Sequence, residues 1–348
     1  MNGENVDHTQ KTMPSDEIRR AADRLRRHAE FQTGIQEQAK RLQEADDRAG
    51  YFISLAKCKV SVEEGKEGIA IDSNTTPLIS IERTRNHPDL ALLTGALTPK
   101  SRQSFAILHH ISTHVCHELY VSQELAHSPQ AALNIAYRIV SLLRMRSNCL
   151  FNAVAFSEIP WSQMACHDES VSVQILEELR SSLWPADGVI EQQDLNWCVD
   201  HIIRLIELYE VPNYRLAFDA AAESPFIRDA RTSVARMWSG IEALFGAEHE
   251  LSFRLSLYAA VLISDDPDER VRVKSRFKRL YGLRSKAVHG AKMTDAALQE
   301  ALTDSWDLLR DLLIACIQTA PTVPSVADLD RALLGYKLSR DGGVSATP

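Results

Sequence analysis

Four successive segments with helical patterning occupy the last third of the chain, and they restrict the possible folds more than any other feature. Apolar residues recur at helical spacing, or fill the segment almost completely, over 226–245, 251–263, 268–289 and 294–320. Gly246, Gly290 and Pro321 follow three of these segments, at positions where helices typically end. Amphipathic helices with short connections predict a helical bundle, and a short helix over 325–334 would add a fifth member.

The chain before Pro212 has a less uniform pattern. A charged helix is predicted from Ser15, which is placed to act as its N-cap. The segments 69–71 and 78–82 predict two short strands, the only β pattern that the sequence indicates. Everything after Pro99 has helical spacing. One apolar stripe consists of Phe105, Leu108, Ile111, Val115 and Leu119. Further helical segments are expected over 136–143, 177–183 and 195–208.

These patterns predict a mainly α fold, in which a C-terminal bundle of four or five helices follows an α-rich domain with a small β element. The chain has 348 residues, more than one core usually accommodates, so two domains are expected. The expected parts are a disordered leader (1–14), an N-terminal α+β domain (15–211), the bundle (212–335) and a disordered tail (336–348).

The composition is that of a globular protein, with 45% hydrophobic and 25% charged residues. No apolar run is long enough to span a membrane, and the first twenty residues lack the apolar core of a secretory signal. A cytoplasmic location without membrane contact is therefore expected. The six cysteines form no C-x-x-C pair, which indicates small buried thiols in a reducing compartment, not disulfides or a zinc finger.

Residues 270–292 form a basic stretch of nine basic residues and no acidic one, although the net charge of the whole chain is −8. The overall acidity disfavours indiscriminate binding to nucleic acid or to an anionic membrane. A concentrated basic segment in an acidic chain instead indicates a local anion site, and a long polyanion is one natural ligand for it.

The basic stretch contains the run Arg279-Leu-Tyr-Gly-Leu-Arg284-Ser-Lys-Ala-Val-His289-Gly290, in which four residues separate Arg284 from His289. This spacing matches the R-x4–6-H motif of HEPN ribonucleases. The segment 238–245, Trp-Ser-Gly-Ile-Glu-Ala-Leu-Phe, resembles the first long helix of the Apea-like HEPN group. Leu-Arg-Ser-Lys-Ala-Val-His-Gly resembles the motif helix of the same group. The resemblance covers about residues 212–335.

The resemblance implies a metal-independent endoribonuclease that needs no cofactor, cleaves RNA such as tRNA and acts in bacterial defence against phages. It implies a homodimer whose two motifs form a composite site, with the N-terminal domain sensing a trigger ligand or phage protein. Arg284 and His289 would be catalytic, and Ser285 stands where the family often has Asn, Asp or His. Three further basic residues would contact the RNA: Lys286, Arg279 and Arg276.

The two side chains also suit this chemistry on physical grounds. RNA carries its own nucleophile, the 2′-hydroxyl, so cleavage requires only proton transfer and stabilisation of charge on phosphorus. An imidazole exchanges protons at neutral pH, and a guanidinium donates paired hydrogen bonds to phosphate oxygens. His289 is therefore assigned to proton transfer and Arg284 to the phosphate. The expected products carry a 2′,3′-cyclic phosphate and a 5′-hydroxyl.

The spacing of the pair sets a geometric condition. Five positions of a continuous helix turn by roughly 500°, which leaves the two side chains about 140° apart. They converge only if the helix ends near Val288, as Gly290 indicates, or if a second subunit supplies its own copy. Glu242 shares a helix stripe with apolar residues and should be partly buried with a partner. It would either orient Arg284 or His289, or form a structural ion pair.

Two alternatives remain open at the level of the sequence. The first is a HEPN bundle that dimerises or binds RNA without catalysis, with the N-terminal domain as the recognition module. Ser285 favours this alternative. The second is a metal-dependent enzyme built on one helix face of three histidines: His110, His114 and His117. Exposed histidines without any ligand are the simpler interpretation of that face.

Overall fold

The computed structural model describes residues 48–72, 77–84, 87–88, 90–165, 171–246, 251–319 and 323–338. The expected leader, the helix from Ser15 and most of the expected tail lie outside these residues. Within them, no helix combines the length and the apolar character that crossing a membrane requires.

Six strands form one antiparallel sheet in the first half of the chain. They are β1 (Gly50–Ala56), β2 (Gly68–Asp72), β3 (Pro77–Arg83), β4 (Val115–Ser122), β5 (Asn152–Ser157) and β6 (Val173–Ile175). Their order across the sheet is β2-β3-β4-β1-β5-β6, so β1 lies centrally between β4 and β5. Six of the seven residues of β1 are buried, as expected for a strand that is covered on both faces.

The helices before Pro212 cover both faces of the sheet. One face packs against α1 (Leu90–Ala96) and α3 (Phe105–Ser112), which are connected through the short α2 (Pro99–Arg102). The other packs against α4 (Pro129–Ser147) and α5 (Gln192–Tyr209). The start of α4 shows the expected capping chemistry, because the Ser128 hydroxyl accepts a hydrogen bond from the Ala131 backbone N–H at 3.2 Å.

The sheet shows that the prediction of a mainly α fold with a small β element is wrong, and the fold is a mixed α/β one. β2 and β3 match the two predicted strands, but β4, β5 and β6 all lie after Pro99. The apolar stripe that begins at Phe105 is helical only as far as Ser112, and Val115 and Leu119 belong to β4. The last four residues of β4 are all buried. They therefore lack the alternation that distinguishes a strand from a buried helix.

The segment 177–183 is not helical either. Its first residue, Glu177, accepts hydrogen bonds from the Arg144 guanidinium at 3.1 and 2.6 Å and from the Ala153 N–H at 2.8 Å. Three donors on one partly buried carboxylate fix this segment beside α4 and β5. Such charge-assisted bonds outweigh a weak helical pattern.

The remaining helices follow the predicted segments closely. They are α6 (Pro212–Glu223), α7 (Ala230–Phe245), α8 (Leu251–Ile263), α9 (Pro267–Val288), α10 (Asp295–Gln318) and α11 (Val326–Leu333). α8 has the predicted bounds, and α7 ends at Gly246, whose φ of +57° is the left-handed conformation typical of a glycine cap. The Thr294 hydroxyl caps α10 by accepting a hydrogen bond from the Ala297 N–H at 3.2 Å.

One hydrophobic core connects the sheet to these helices. Its fully buried members include Ile53 on β1, Leu205 on α5 and Phe218 on α6. Trp306 on α10 belongs to it as well, and its indole Nε1 donates a 3.0 Å hydrogen bond to the Oδ1 of Asn148, just after α4. The core therefore continues across the expected boundary before residue 212. The division into two domains at that point remains a prediction.

Candidate active site

Both predicted catalytic residues lie at the C-terminal end of α9. The helix begins where the Asp266 carboxylate accepts a 2.7 Å hydrogen bond from the Glu269 N–H, directly before Pro267. It ends at Val288, and His289 has left helical geometry with a ψ of 13°. The prediction that the helix ends near Val288 is confirmed. His289 therefore lies in the turn, outside the regular periodicity that governs Arg284.

Arg284 is held against α7 by Glu242. The Arg284 Nη2 donates a 3.3 Å hydrogen bond to Glu242 Oε2 and lies 3.1 Å from Oε1, a distance that makes an ion pair without hydrogen-bond geometry. The two side chains are 22% and 25% exposed, so water only partly screens the pair. Arg284 also lies over the ring of Tyr281, with 5.5 Å from its guanidinium carbon to the ring centroid.

The Arg284–Glu242 pair leaves hydrogen-bond donors of Arg284 and an acceptor of Glu242 unused. Arg284 Nε and Glu242 Oε1 are both buried, and neither forms a hydrogen bond in the described part of the chain. Arg284 Nη1 likewise has no hydrogen-bond partner among the described residues. A guanidinium has five N–H donors, so Glu242 fixes the direction of this side chain while donors remain for a further anion.

The turn that carries His289 is stabilised by Arg231, at the start of α7. The Arg231 guanidinium donates hydrogen bonds to the carbonyl oxygens of Ala287 at 2.9 Å, Ala291 at 2.9 Å and Lys286 at 3.3 Å. These carbonyls lie at and just beyond the end of α9, where intrahelical partners run out. A cation there also complements the helix dipole. Arg231 thus fixes the backbone on both sides of His289.

The sequence alone does not identify Arg231 as a residue of the site. One local signal was available, because Arg231 is the second residue of α7 and a basic residue in a first turn opposes the dipole of its own helix. Such a residue has to be explained by a partner elsewhere. The partner is the end of another helix, fifty-five residues further along the chain, and no spacing rule identifies it.

The structure does not join Arg284 to His289 by a hydrogen bond. Arg284 is directed to Glu242, whereas His289 is exposed and its imidazole forms no hydrogen bond or ion pair with the described residues. Ser285 is half-buried, and its carbonyl oxygen accepts the His289 N–H at 3.1 Å. Lys286 is exposed beside them. The catalytic assignment of the pair remains a prediction, and Glu242 has the partner that its position required.

Arg276 and Arg279, predicted to contact RNA, are engaged with α10. Arg276 Nη1 lies 2.9 Å from Asp311 Oδ2, and Arg279 forms ion pairs with Glu300 and, at 2.8 Å, with Asp304. Both arginines line an open cleft of about 590 Å³ between α10 and the end of α4. Burial raises the pKa of Asp307, which lines the same cleft. The mixed charges make this cleft less attractive to a polyanion than the sequence suggested.

The basic stretch as a whole is divided between two kinds of residue. Its five arginines all have carboxylate partners. The pairs are Arg270–Asp265, Arg272–Glu269, Arg276–Asp311, Arg279 with Glu300 and Asp304, and Arg284–Glu242. Its four lysines form no ion pair with the described residues: Lys274, Lys278, Lys286 and Lys292. The unneutralised charge of the stretch therefore comes from its lysines.

The proposed histidine face does not exist, because His110 lies on α3, His114 in the following turn and His117 on β4. Burial, aided by the charge of Arg83 on the neighbouring strand, lowers the pKa of His117 to about 4. No group of three or more His, Cys, Asp or Glu side chains suited to a metal ion is found among the residues that the structure describes.

Two buried cysteines meet where the chain leaves β1 and where it enters β5: Cys58 and Cys149. The thiols of Cys58 and Cys149 share a hydrogen bond, which holds the pKa of Cys149 below its ordinary value and that of Cys58 above it. Lys57 and Asn148, the residues directly before them, have φ values of 60° and 54°, the only non-glycine positive values in the described residues. All five described cysteines are free. The cysteine pair thus sits at two conformationally restricted turns.

Fold and site together define a mixed α/β protein whose antiparallel sheet lies between helical layers and whose last helices present Arg284 and His289 at one helix end. The chain matches no family model, no curated protein and no solved structure.

Proposed function

We propose that the protein is a metal-independent endoribonuclease of the HEPN type, with Arg284 and His289 as its catalytic residues. The 2′-hydroxyl attacks the adjacent phosphorus while the His289 imidazole accepts its proton, and the bond to the 5′-oxygen breaks. A protonated imidazole or a water molecule then supplies the proton that the 5′-oxygen requires. Arg284 donates hydrogen bonds to the equatorial phosphate oxygens as charge accumulates on them.

The observation that carries this proposal is that the two side chains differ in how they are held: Arg284 is fixed by an ion pair, whereas His289 is exposed. Arg284 is oriented by Glu242 with donors left over, which suits a group that must hold a phosphate in one position. His289 is exposed on a turn that Arg231 braces, which suits a group that must exchange protons with substrate and solvent. Each arrangement fits the role assigned to that residue.

The active form is proposed to be a homodimer with a composite site, as the resemblance to HEPN ribonucleases implies, because their motifs face one another across a dimer. Such a site takes Arg284 from one subunit and His289 from the other. The region before residue 212 is proposed to sense a trigger ligand or phage protein in the cytoplasm, and RNA cleavage, of tRNA for example, would follow as an antiphage response. This role follows from the resemblance in the bundle.

The Arg284–Glu242 ion pair also favours a second candidate function, RNA binding or dimerisation without catalysis. A guanidinium neutralised by a partly buried carboxylate stabilises the fold irrespective of any substrate. In that case the bundle would serve as a binding module, and His289 would be only the residue that ends α9.

The experiment that tests the proposal is cleavage of total RNA and tRNA by the purified protein, with and without EDTA. We expect chelator-resistant cleavage that disappears in Arg284→Ala and His289→Ala and leaves 2′,3′-cyclic phosphate ends. His114→Ala and Arg272→Ala are the matched controls, since both side chains are exposed and away from the α9 end. Unchanged cleavage in His289→Ala contradicts the proposal.

A mixture of the two inactive variants tests the composite site. In a dimer whose sites combine Arg284 and His289 from different subunits, each mixed dimer regains one intact site. Random exchange of subunits should therefore restore about a quarter of the original activity. If both residues of a site come from one subunit, the mixed dimers contain no intact site and the mixture stays inactive.

A further inference from the structure

Phe253, on α8, is an exposed aromatic residue that has no role in the proposed active site. α8 is almost entirely apolar and most of its side chains are buried, yet Phe253 is 50% exposed. An exposed ring of this size is unfavourable in water unless something covers it. Two lysines from α9 lie beside its ring.

Lys274 and Lys278 place their ammonium groups at the ring of Phe253. The Nζ atoms lie 5.8 and 5.4 Å from the ring centroid, within the range of cation–π attraction. Neither lysine forms an ion pair with the described residues, whereas all five arginines of the basic stretch do. No carboxylate among the described residues therefore neutralises the positive charge of these two lysines.

An aromatic ring with adjacent free cations is the arrangement that binds single-stranded nucleic acid. A base stacks on the ring, and the ammonium groups attract the phosphates on either side of it. A duplex fits poorly, because its bases are already stacked on one another and cannot reach the ring. The chemistry of these three residues thus selects an unpaired nucleotide.

The position of these residues on α9 connects them to the proposed active site. Lys278 precedes Arg284 by six residues, which is about 9 Å along an α-helix. Lys274, Lys278 and Ser285 fall within about 40° of one another around the helix axis, so they share one side of α9. A strand bound at Phe253 can therefore continue along this side towards the turn that carries His289.

We propose that Phe253, Lys274 and Lys278 form a stacking platform that binds an unpaired base of a single-stranded RNA and directs the neighbouring phosphodiester to the end of α9. This inference rests on the proposed function, since it assigns the substrate class of that same site. It predicts that the protein binds single-stranded RNA in preference to a duplex of the same sequence.

The test measures binding separately from cleavage. A fluorescein-labelled single-stranded RNA of twelve nucleotides, and the duplex formed with its complement, are titrated by fluorescence anisotropy into the non-cleaving Arg284→Ala/His289→Ala variant. In that background Phe253→Ala should weaken single-strand binding about tenfold, because one base loses the ring on which it stacks. Phe253→Trp should restore the affinity. The double change Lys274→Gln/Lys278→Gln should lower the salt dependence of log Kd by about 1.4.

Arg272→Gln is the matched control, because it removes one charge from an exposed, ion-paired position of the same helix and should leave Kd unchanged. Unchanged single-strand affinity in Phe253→Ala overturns the inference, as does equal affinity for the duplex. A change from dimer to monomer in Phe253→Ala, with RNA affinity retained, would assign the surface to subunit contact and also overturn it. Circular dichroism and thermal unfolding verify that each variant is folded.

The two proposals fail in different ways. Stacking-dependent binding by a protein that never cleaves RNA would leave the platform intact and refute the endoribonuclease. Cleavage that requires His289 but has the same KM in Phe253→Ala would leave the endoribonuclease intact and refute the platform.

Discussion

The guanidinium of Arg231 donates a 2.9 Å hydrogen bond to the carbonyl oxygen of Ala287, and this contact ties the first turn of α7 to the last turn of α9. Two further carbonyls, of Lys286 and Ala291, accept hydrogen bonds from the same group. The geometry of the His289 turn is therefore decided by a residue that lies on another helix.

Replacement of Arg231 by Met should lower both stability and cleavage. The variant loses three charge-assisted hydrogen bonds at a partly exposed site, so we expect a free energy of unfolding lower by about 1 kcal/mol in urea titrations. We also expect kcat to fall with little change in KM, because the turn of His289 is no longer fixed. Arg228→Met, an exposed position three residues earlier, is the control. Equal free energies of unfolding and equal kcat values in the two variants would refute the claim that Arg231 fixes the turn of His289.

Glu242 and Arg284 should show measurable coupling. Glu242→Gln and Arg284→Met each leave a partly buried partner unpaired, whereas the double variant leaves neither, so a double-mutant cycle should give a coupling free energy of about 1 kcal/mol. Urea unfolding at low salt measures it. Additive effects within about 0.3 kcal/mol would show that the ion pair contributes nothing to the fold.

His117 should make the protein less stable below neutral pH. Its pKa is about 4 in the fold against an ordinary 6.5, so the unfolded chain binds a proton between these values and the folded chain does not. The stability that its neutral form contributes is complete above pH 6.5 and is lost as the pH falls towards 4. Allowing for partial solvent screening, unfolding at pH 5 should require about 1–2 kcal/mol less than at pH 7.5.

The comparison variant for this pH effect is His117→Gln, which is neutral at every pH. Thermal unfolding at pH 5 and 7.5 should show a smaller pH dependence in the variant than in the original protein, by the same 1–2 kcal/mol or so. His114→Gln, whose side chain is exposed, should leave the dependence as it is. An identical pH profile in His117→Gln would mean that His117 titrates normally in the fold.

Asn148 should tolerate Gly better than Ala. Its φ of 54° is strained for an alanine and not for a glycine, while both changes remove the acceptor of the buried Trp306 Nε1–H. We expect Asn148→Gly to lose about 1–2 kcal/mol and Asn148→Ala about 1 kcal/mol more. Urea unfolding followed by tryptophan fluorescence measures both. Equal losses would show that the backbone conformation is not restrictive.

The sequence predicts the C-terminal helices well because residues that begin or end a helix mark several of their boundaries. Thr294, Gly246 and Gly290 act locally, through a cap or a left-handed backbone, and each segment is either periodic or, like α8, a long apolar run. β4 and β5 carry no such local information, since strands covered on both faces lose the alternation that identifies them. Their partners, β1 and β3, are distant in the chain, and pairing between distant strands leaves no periodic trace.

In the site, too, the features that depend on local sequence could be predicted and those that depend on distant partners could not. The expected end of α9 at Val288 and the need of Glu242 for a partner could be inferred from composition and spacing. The role of Arg231, the neutralisation of Arg276 and Arg279 by α10 and the approach of Lys274 to Phe253 depend on which helices pack together. The sequence of the basic stretch gives its charge, but only the packing decides which of those charges remain available.

The single core that crosses residue 212 limits how this protein can be modular. A bundle separated at that point would expose the side of α6 that carries Tyr214 and Phe218, both fully buried in the intact chain. It would also leave Trp306 without the Asn148 that accepts its indole proton. The bundle is thus not an independent unit that recombination could transfer unaltered into another protein. A protein that exchanged the part before residue 212 would have to rebuild the adjoining surface of the bundle as well.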